Sequence, residues 1–188
     1  VRAPKHAGFK AEENIIIGNV ALFGATGGEA YIRGIAGERF AVRNSGATAV
    51  VEGCGDHGLE YMTGGTVVIL GETGRNLAAG MSGGTAFVLD RRHELYKKLN
   101  KELVSMEEVT SPHDRELLRR LLEQHARLTG SPVAQSLLND FTGSLAQFKK
   151  IIPNDYKRML AETARHEEKG CSHDEALLEA FKSVTQGA

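Results

Sequence analysis

Glycine recurs in this chain at a near-constant interval, and that interval decides what the chain can fold into. Between Gly18 and Asp90 lie 17 of its 22 glycines and none of its four prolines. Aligned on Gly28, Gly46, Gly65 and Gly84, the steps are 18, 19 and 19 residues. Each aligned glycine ends a three-residue corner: Thr26-Gly27-Gly28, Asn44-Ser45-Gly46, Thr63-Gly64-Gly65 and Ser82-Gly83-Gly84. Each corner opens a short apolar run, such as Ala30-Tyr31-Ile32 or Val67-Val68-Ile69-Leu70. A second glycine closes the first three runs, at Gly34, Gly53 and Gly71.

Turn, strand and turn at a fixed period mark a repeat architecture. Hairpins would need Asn-Gly or Asp-Gly turns between alternating strands, and the chain has neither dipeptide. Rungs of this length suit a solenoid in which each strand stacks on the same strand of the next coil, that is, a parallel β-helix. The glycine corners then fall at one place along the axis, where backbones approach closely. The variable step and the lack of a hexapeptide pattern favour the right-handed form. The predicted inward ladder is Ile32, Val50, Ile69 and Val88. Val68, Leu70, Phe87 and Leu89 alternate with Val67, Ile69, Ala86 and Val88, so both strand faces are apolar and something must cover the outer one.

Past Asp90 the composition changes, which divides the chain into a repeat domain over 1–90 and a helical tail over 91–188. The fold class is therefore mainly β, a right-handed parallel β-helix followed by a helical C-terminal tail packed on it. Ser111-Pro112 and Ser131-Pro132 are N-cap and first-turn pairs that start helices, and Gly130 separates them. A short helix is expected over 92–101, an extended stretch over Leu103–Met106 and a connector over 143–153. A helix over Tyr156–Lys169 follows. A capping box at Ser172 and Glu175 starts the last helix, expected to bury Ala176, Leu177, Ala180, Phe181 and Val184. Residues 1–14 form an extended lead-in, and Ile15–Ile17 a strand of an incomplete earlier coil. The first residue is Val1, which suggests a piece of a longer protein.

Charge excludes some functions. The net formal charge is −1, with 7 basic and 9 acidic side chains in residues 1–90 and 16 and 15 in the remainder, so neither half resembles a nucleic-acid or membrane-surface binder. Cys54 and Cys171 lie 117 positions apart without a CxxC, which suits a reducing, cytoplasmic setting.

Gly53-Cys54-Gly55-Asp56-His57-Gly58 is a literal GxGxxG, with Glu72 placed as a ribose-binding acid would be. Only Leu59–Met62 separate it from the next corner, too few for the helix whose N-terminus holds a pyrophosphate. Cys54, Asp56, His57 and Glu60 lie on one turn without a second ligand pair, which points to a solvated loop rather than a metal site. His57 has no nucleophile positioned beside it, and His113, His125, His166 and His173 are scattered without pairing logic. Arg39, Arg43 and Glu52 interrupt the repeat either as an exposed outer face or as a surface that docks on another domain.

The run from GATGGEAYIRGIAGERFAVRNSGATAVVEGCGDHGLEYMTGG to MSGGTAFVLD resembles the C-terminal GXGXG domain of the glutamate synthase large subunit, and HARLTGSPVAQSLL with KKIIPNDYKRML resembles its closing segment. The resemblance implies a right-handed β-helix with further coils upstream. It also implies a parent oxidoreductase that makes L-glutamate from L-glutamine and 2-oxoglutarate, using FMN and a 3Fe–4S cluster. None of that machinery maps onto this segment. The expectation is a scaffold for the other domains of the large chain and for contacts between subunits, with no catalytic residue, cofactor or metal of its own. The alternative is a free-standing interaction module similar to the β-helical subunit of formylmethanofuran dehydrogenase.

Overall fold

The computed structural model describes residues 1–4 and 6–186. After a 3-10 turn at Ala11–Glu13 come β1 (Ile15–Ile17), β2 (Glu29–Ile32), β3 (Ile35–Ala36), β4 (Ser45–Val51), β5 (Thr63–Ile69) and β6 (Gly83–Leu89). Strands β2, β4, β5 and β6 stack in parallel, each one coil above the last, as a β-solenoid. β1 pairs in parallel with β3 on a second wall. The lead-in closes part of the first coil. Val1 donates its amino group to Tyr31 O at 2.6 Å and accepts from the Arg33 amide at 3.0 Å, so it bridges the free edge of β2.

The glycine corners work by close approach. A Cβ on Gly64 would run into the Ser45 carbonyl beneath it, and one on Gly83 into that of Thr63. One corner departs from the glycine count. Glu29 pairs with Thr48 and Thr48 with Thr66, so Ala47 rather than Gly46 stands below Gly65. Asn44 makes this possible by clasping the corner: its Oδ1 accepts from the Ala47 amide at 2.9 Å and its Nδ2 donates to Ala47 O at 2.9 Å. The inward column is therefore Ile32, Val51, Ile69 and Val88. Val50 belongs to the outward column with Tyr31, Val68 and Phe87. The predicted ladder was wrong by one residue in that coil.

The wall opposite the sheet is a stack of turns in which right- and left-handed residues alternate. Positive φ falls at Leu22 and Gly24, Ala41 and Arg43, Leu59 and Tyr61, and Ala78 and Gly80. The first member of each pair from the second coil on donates its amide one way along the axis, as Leu59 does to Phe40 O. The second donates the other way in the first three coils, as Tyr61 does to Ala79 O. Left-handed backbone costs a non-glycine residue about 1–2 kcal/mol. Here hydrogen bonds in both directions and burial offset it: Phe40, Leu59, Met62, Leu77 and Met81 fill the interior with the inward column.

After β6 the chain forms α1 (Leu95–Lys98), shorter than the 92–101 expected, then β7 (Val104–Glu108), α2 (Pro112–Thr129), α3 (Pro132–Asn139), α4 (Phe141–Leu145) and β8 (Phe148–Pro153). β8 lies where a connector was expected. It pairs antiparallel with both β6 and β7, so the sheet runs β2-β4-β5-β6-β8-β7 and the last parallel strand has no bare edge. Serine caps start α2 and α3, with Ser131 Oγ accepting from the Ala134 amide at 3.0 Å, and left-handed Gly130 (φ 69°) ends α2. Leu118, Leu121, Leu122, Ala134, Leu137 and Phe141 cover the outward column and form a second core with it.

The chain ends in α5 (Asn154–Glu168) and α6 (His173–Gln186). This hairpin contributes no residue to either core. Its own packing rests on small side chains, since Thr163, Ala176 and Ala180 are its buried residues. Phe181, expected inside, is 56% exposed, and Leu178 equally so.

Candidate functional site

The glycine motif folds into the turn wall, and the amides of Cys54 to His57 are already committed. Cys54 donates to Glu72 O at 3.0 Å, Gly55 to Gly37 O at 3.0 Å and His57 to Glu38 O at 2.9 Å, while Asp56 donates to Glu38 Oε2 at 2.6 Å. A phosphate cradle needs those amides free. The glycines serve packing instead: a Cβ on Gly58 would lie 2.7 Å from Cys54 Sγ, and one on Gly55 would overlap Glu38. Strand β5 follows, not a helix. Glu72 turns outward to Lys98 and Arg92.

The side chains on this turn do not converge. His57 Nδ1 meets Glu60 Oε1 at 2.8 Å, and Asp56 accepts from the Arg75 amide at 2.9 Å. Cys54 points inward, and burial pushes its thiol up to about 12. So this is no solvated loop throughout, because Cys54 is part of the core. Among the described residues no three His, Cys, Asp or Glu side chains gather where a metal ion could sit. A 3Fe–4S cluster does not fit the chain either, since cluster ligation calls for more thiolates than its two cysteines supply.

The most enclosed polar cluster joins the solenoid to its helices, and sequence inspection passed over it. Glu52 closes β4 and is 3% exposed; His125 on α2 and Ser131 at the start of α3 are fully buried. Glu52 Oε1 accepts from Ser131 Oγ and lies 3.2 Å from His125 Nε2. The Tyr31 ring stacks obliquely on His125, centroids 6.3 Å apart. Ser131 gives its proton to the carboxylate rather than to the imidazole, so the trio lacks the nucleophile–base pair of acyl-transfer chemistry. It acts as a bracket: one carboxylate ties two helices to one coil. Of the three residues singled out for docking, Glu52 therefore docks on the chain's own helices. Arg39 and Arg43 stay exposed, the latter over the Phe23 ring at 5.9 Å. His113 and His173 lie at the surface, and His166 is half-buried on α5.

Two clefts remain. One, about 440 Å³, runs beside the corners of β5 and β6 and is lined by Thr66, Thr85, Ser111, Lys150, Tyr156 and Leu160. The other, about 510 Å³, lies between the 3-10 turn, the end of β4 and α3, with Glu12, Glu13, Arg91 and Arg92 on its walls. No described helix is long and apolar enough to cross a membrane.

A solenoid with committed turn amides, glycine corners and a carboxylate bracket can be compared with known families. The family model described as the GXGXG motif matches residues 1–154. The chain belongs to the GXGXG family. It is 55% identical to glutamate synthase [NADH] of Schizosaccharomyces pombe over 166 residues, which is 88% of this chain and 8% of that protein. It is 49% identical to the glutamate synthase [NADPH] large chain of Bacillus subtilis over 177 residues, 94% of this chain and 12% of that one. It is 52% identical to the chloroplastic ferredoxin-dependent glutamate synthase of Spinacia oleracea over 153 residues, 81% of this chain and 9% of that protein. This GXGXG chain thus spans about a tenth of the relatives it matches. Three relatives whose names carry NADH or NADPH align over 88–97% of the chain, and five ferredoxin-dependent ones over 78–81%.

Proposed function

We propose that this chain is the GXGXG domain of a glutamate synthase. It acts as a rigid scaffold within an enzyme that makes L-glutamate from L-glutamine and 2-oxoglutarate with a reduced donor. The observation that carries the reading is identity near 50% over most of the chain to glutamate synthases of which it covers 8–12%. The local chemistry supports a scaffold. The amides of Cys54 to His57 are taken, the Ser131–Glu52–His125 trio is buried, and the interior is filled by side chains from both walls. Neighbouring domains of the large chain are then the partners, and Arg39 and Arg43 on the exposed turn wall are available to meet them. No catalytic, cofactor or metal role falls to any residue here.

The test is made in the full parent enzyme and in the isolated chain. The isolated chain is expected to show neither glutaminase activity nor binding of FMN or NAD(P)H by fluorescence titration. Replacing the Glu52 bracket with Glu52→Leu in the parent is expected to lower its thermal stability while leaving kcat of the surviving folded enzyme within about twofold. Saturable FMN binding by the isolated chain would end the scaffold reading.

A further inference from the structure

Two carboxylates on the wall of one cleft lack hydrogen bonds that buried carboxylate oxygens require. The cleft, about 510 Å³, lies between the 3-10 turn, the ends of β4, β5 and β6, and α3. Glu52 lines it; its Oε1 is taken by Ser131 and His125, while its Oε2 is buried without a partner. Glu12, brought in by the 3-10 turn, lines it too, and its Oε2 is likewise buried and unpartnered. A buried carboxylate oxygen without a donor is costly, so the two call for a guest that brings N–H groups and positive charge. Among the described residues no three His, Cys, Asp or Glu side chains gather to hold a metal ion, which points to an organic ammonium.

The rest of the cleft defines what the ammonium is attached to. Glu52, Leu70 and Leu89 directly follow the registered trio Val51, Ile69 and Val88, so they stand on three successive coils. At about 4.8 Å per coil, the two leucines line a path of roughly 10 Å that starts at Glu52. Arg91 and Arg92 stand at its far end. Arg92 and Lys98 pair with Glu72, and Lys10 pairs with Glu13, so Arg91 is the cation left for a guest. Carboxylates at one end, hydrocarbon between and a guanidinium at the other match an ammonium, an aliphatic stem and a carboxylate. We infer that this cleft binds a free amino acid of the lysine type, with an amine at the tip of an aliphatic side chain. The side-chain ammonium donates to Glu12 Oε2 and Glu52 Oε2, the methylenes lie along Leu70 and Leu89, and Arg91 holds the α-carboxylate. A lysine within a neighbouring polypeptide has no α-carboxylate and would leave Arg91 facing a neutral amide. The occupied site ties the lead-in to the solenoid, because Glu12 belongs to the one and Glu52 to the other. Every group it uses is in this chain, so the inference stands apart from the glutamate synthase reading.

The experiment titrates the complete parent protein with L-lysine by calorimetry, with no other amino acid present. Norleucine, which lacks the side-chain ammonium, and cadaverine, which lacks the carboxylate, are titrated in parallel. Lysine is expected to bind saturably, and each of the other two at least tenfold more weakly. Glu12→Gln and Arg91→Gln, both outside the buried trio, are each expected to weaken lysine binding at least tenfold without moving the melting temperature of the unliganded protein. Arg91→Lys, which keeps the charge, is expected to restore most of the affinity. No saturable binding of lysine at millimolar concentration overturns the inference, as it would if a side chain of a neighbouring domain already filled the cleft. Norleucine or cadaverine binding as tightly as lysine also overturns it, and so does unchanged lysine affinity in Glu12→Gln and Arg91→Gln, which would place the site elsewhere. An Arg91→Lys variant that binds no better than Arg91→Gln overturns the role of Arg91 and with it the amino acid.

Discussion

Val50 offers a sharp test of how the strands are buried, because it sits on the face that an ordinary one-sided sheet would leave wet. It is fully buried in the outward column, in one core with Val68, Phe87 and Leu118. Val50→Ala would cost roughly 2 kcal/mol in lost burial and cavity formation. Val50→Asp loses the same contacts and also places a carboxyl among hydrocarbon. Among the hydrocarbon side chains of that core the carboxyl stays protonated in the folded chain, whereas in the unfolded chain it ionises above its ordinary pKa of about 3.9. Holding it neutral at pH 7 costs about 4 kcal/mol, so the total approaches 6 kcal/mol, most of the stability of an average domain. The folded pKa is raised, so the penalty is absent below pH 3.9 and grows by about 1.4 kcal/mol per pH unit above it. Urea unfolding followed by circular dichroism should therefore place the Asp variant about 1 kcal/mol below the Ala variant at pH 4.5 and about 4 kcal/mol below it at pH 7. Equal midpoints for the two variants at pH 7 would mean that Val50 faces water and that α2 does not seal the sheet.

Three further outcomes follow from the same geometry. Gly83→Ala should destabilise by more than about 2 kcal/mol because its methyl meets the Thr63 carbonyl, while Gly27→Ala, which has open space around it, should stay within about 0.5 kcal/mol; thermal melts of both decide. Ser131→Ala should cost about 2–3 kcal/mol in chemical denaturation, since it removes a helix cap and a donor to buried Glu52 at once. At pH 8 a thiol reagent should label Cys171 in the native chain and reach Cys54 only in denaturant; Cys54, held near 12, stabilises fully below its ordinary 9.0 and ceases to as pH rises toward 12, so Cys54→Ala should flatten the alkaline loss of stability.

How much of this was legible in the sequence depends on whether a feature repeats. The coil period, the caps at Ser111 and Ser131 and the need to cover two apolar strand faces all follow from spacing and residue type. The register error at Val50 arose because Asn44 does with a side chain what glycine does in the other corners, and a count of glycines cannot detect that. The left-handed turns at Ala41 and Leu59 carry no mark, since their conformation is imposed by the coils above and below. β8 escaped notice because Lys149 and Lys150 interrupt its apolar run; Lys150 is drawn to Asp114 and Lys149 to Glu108. The bracket lay beyond reach for a simpler reason: Glu52 stands 73 residues from His125 and 79 from Ser131. Phe181 misled through helical periodicity alone, which reports that a face is apolar but not whether this chain or another covers it.

The irregular pairing at the corners, between Ser45 and Thr48 and again between Thr63 and Thr66, has a bearing on descent. Beyond those points the strands run in unbroken step, so an extra residue accommodated at the bend leaves every later side chain pointing the way it did before. The same insertion within a strand would turn the rest of that strand inside out. Loops in most proteins tolerate insertion at their tips; in these two rungs the tolerant point is the corner, where the register already shifts.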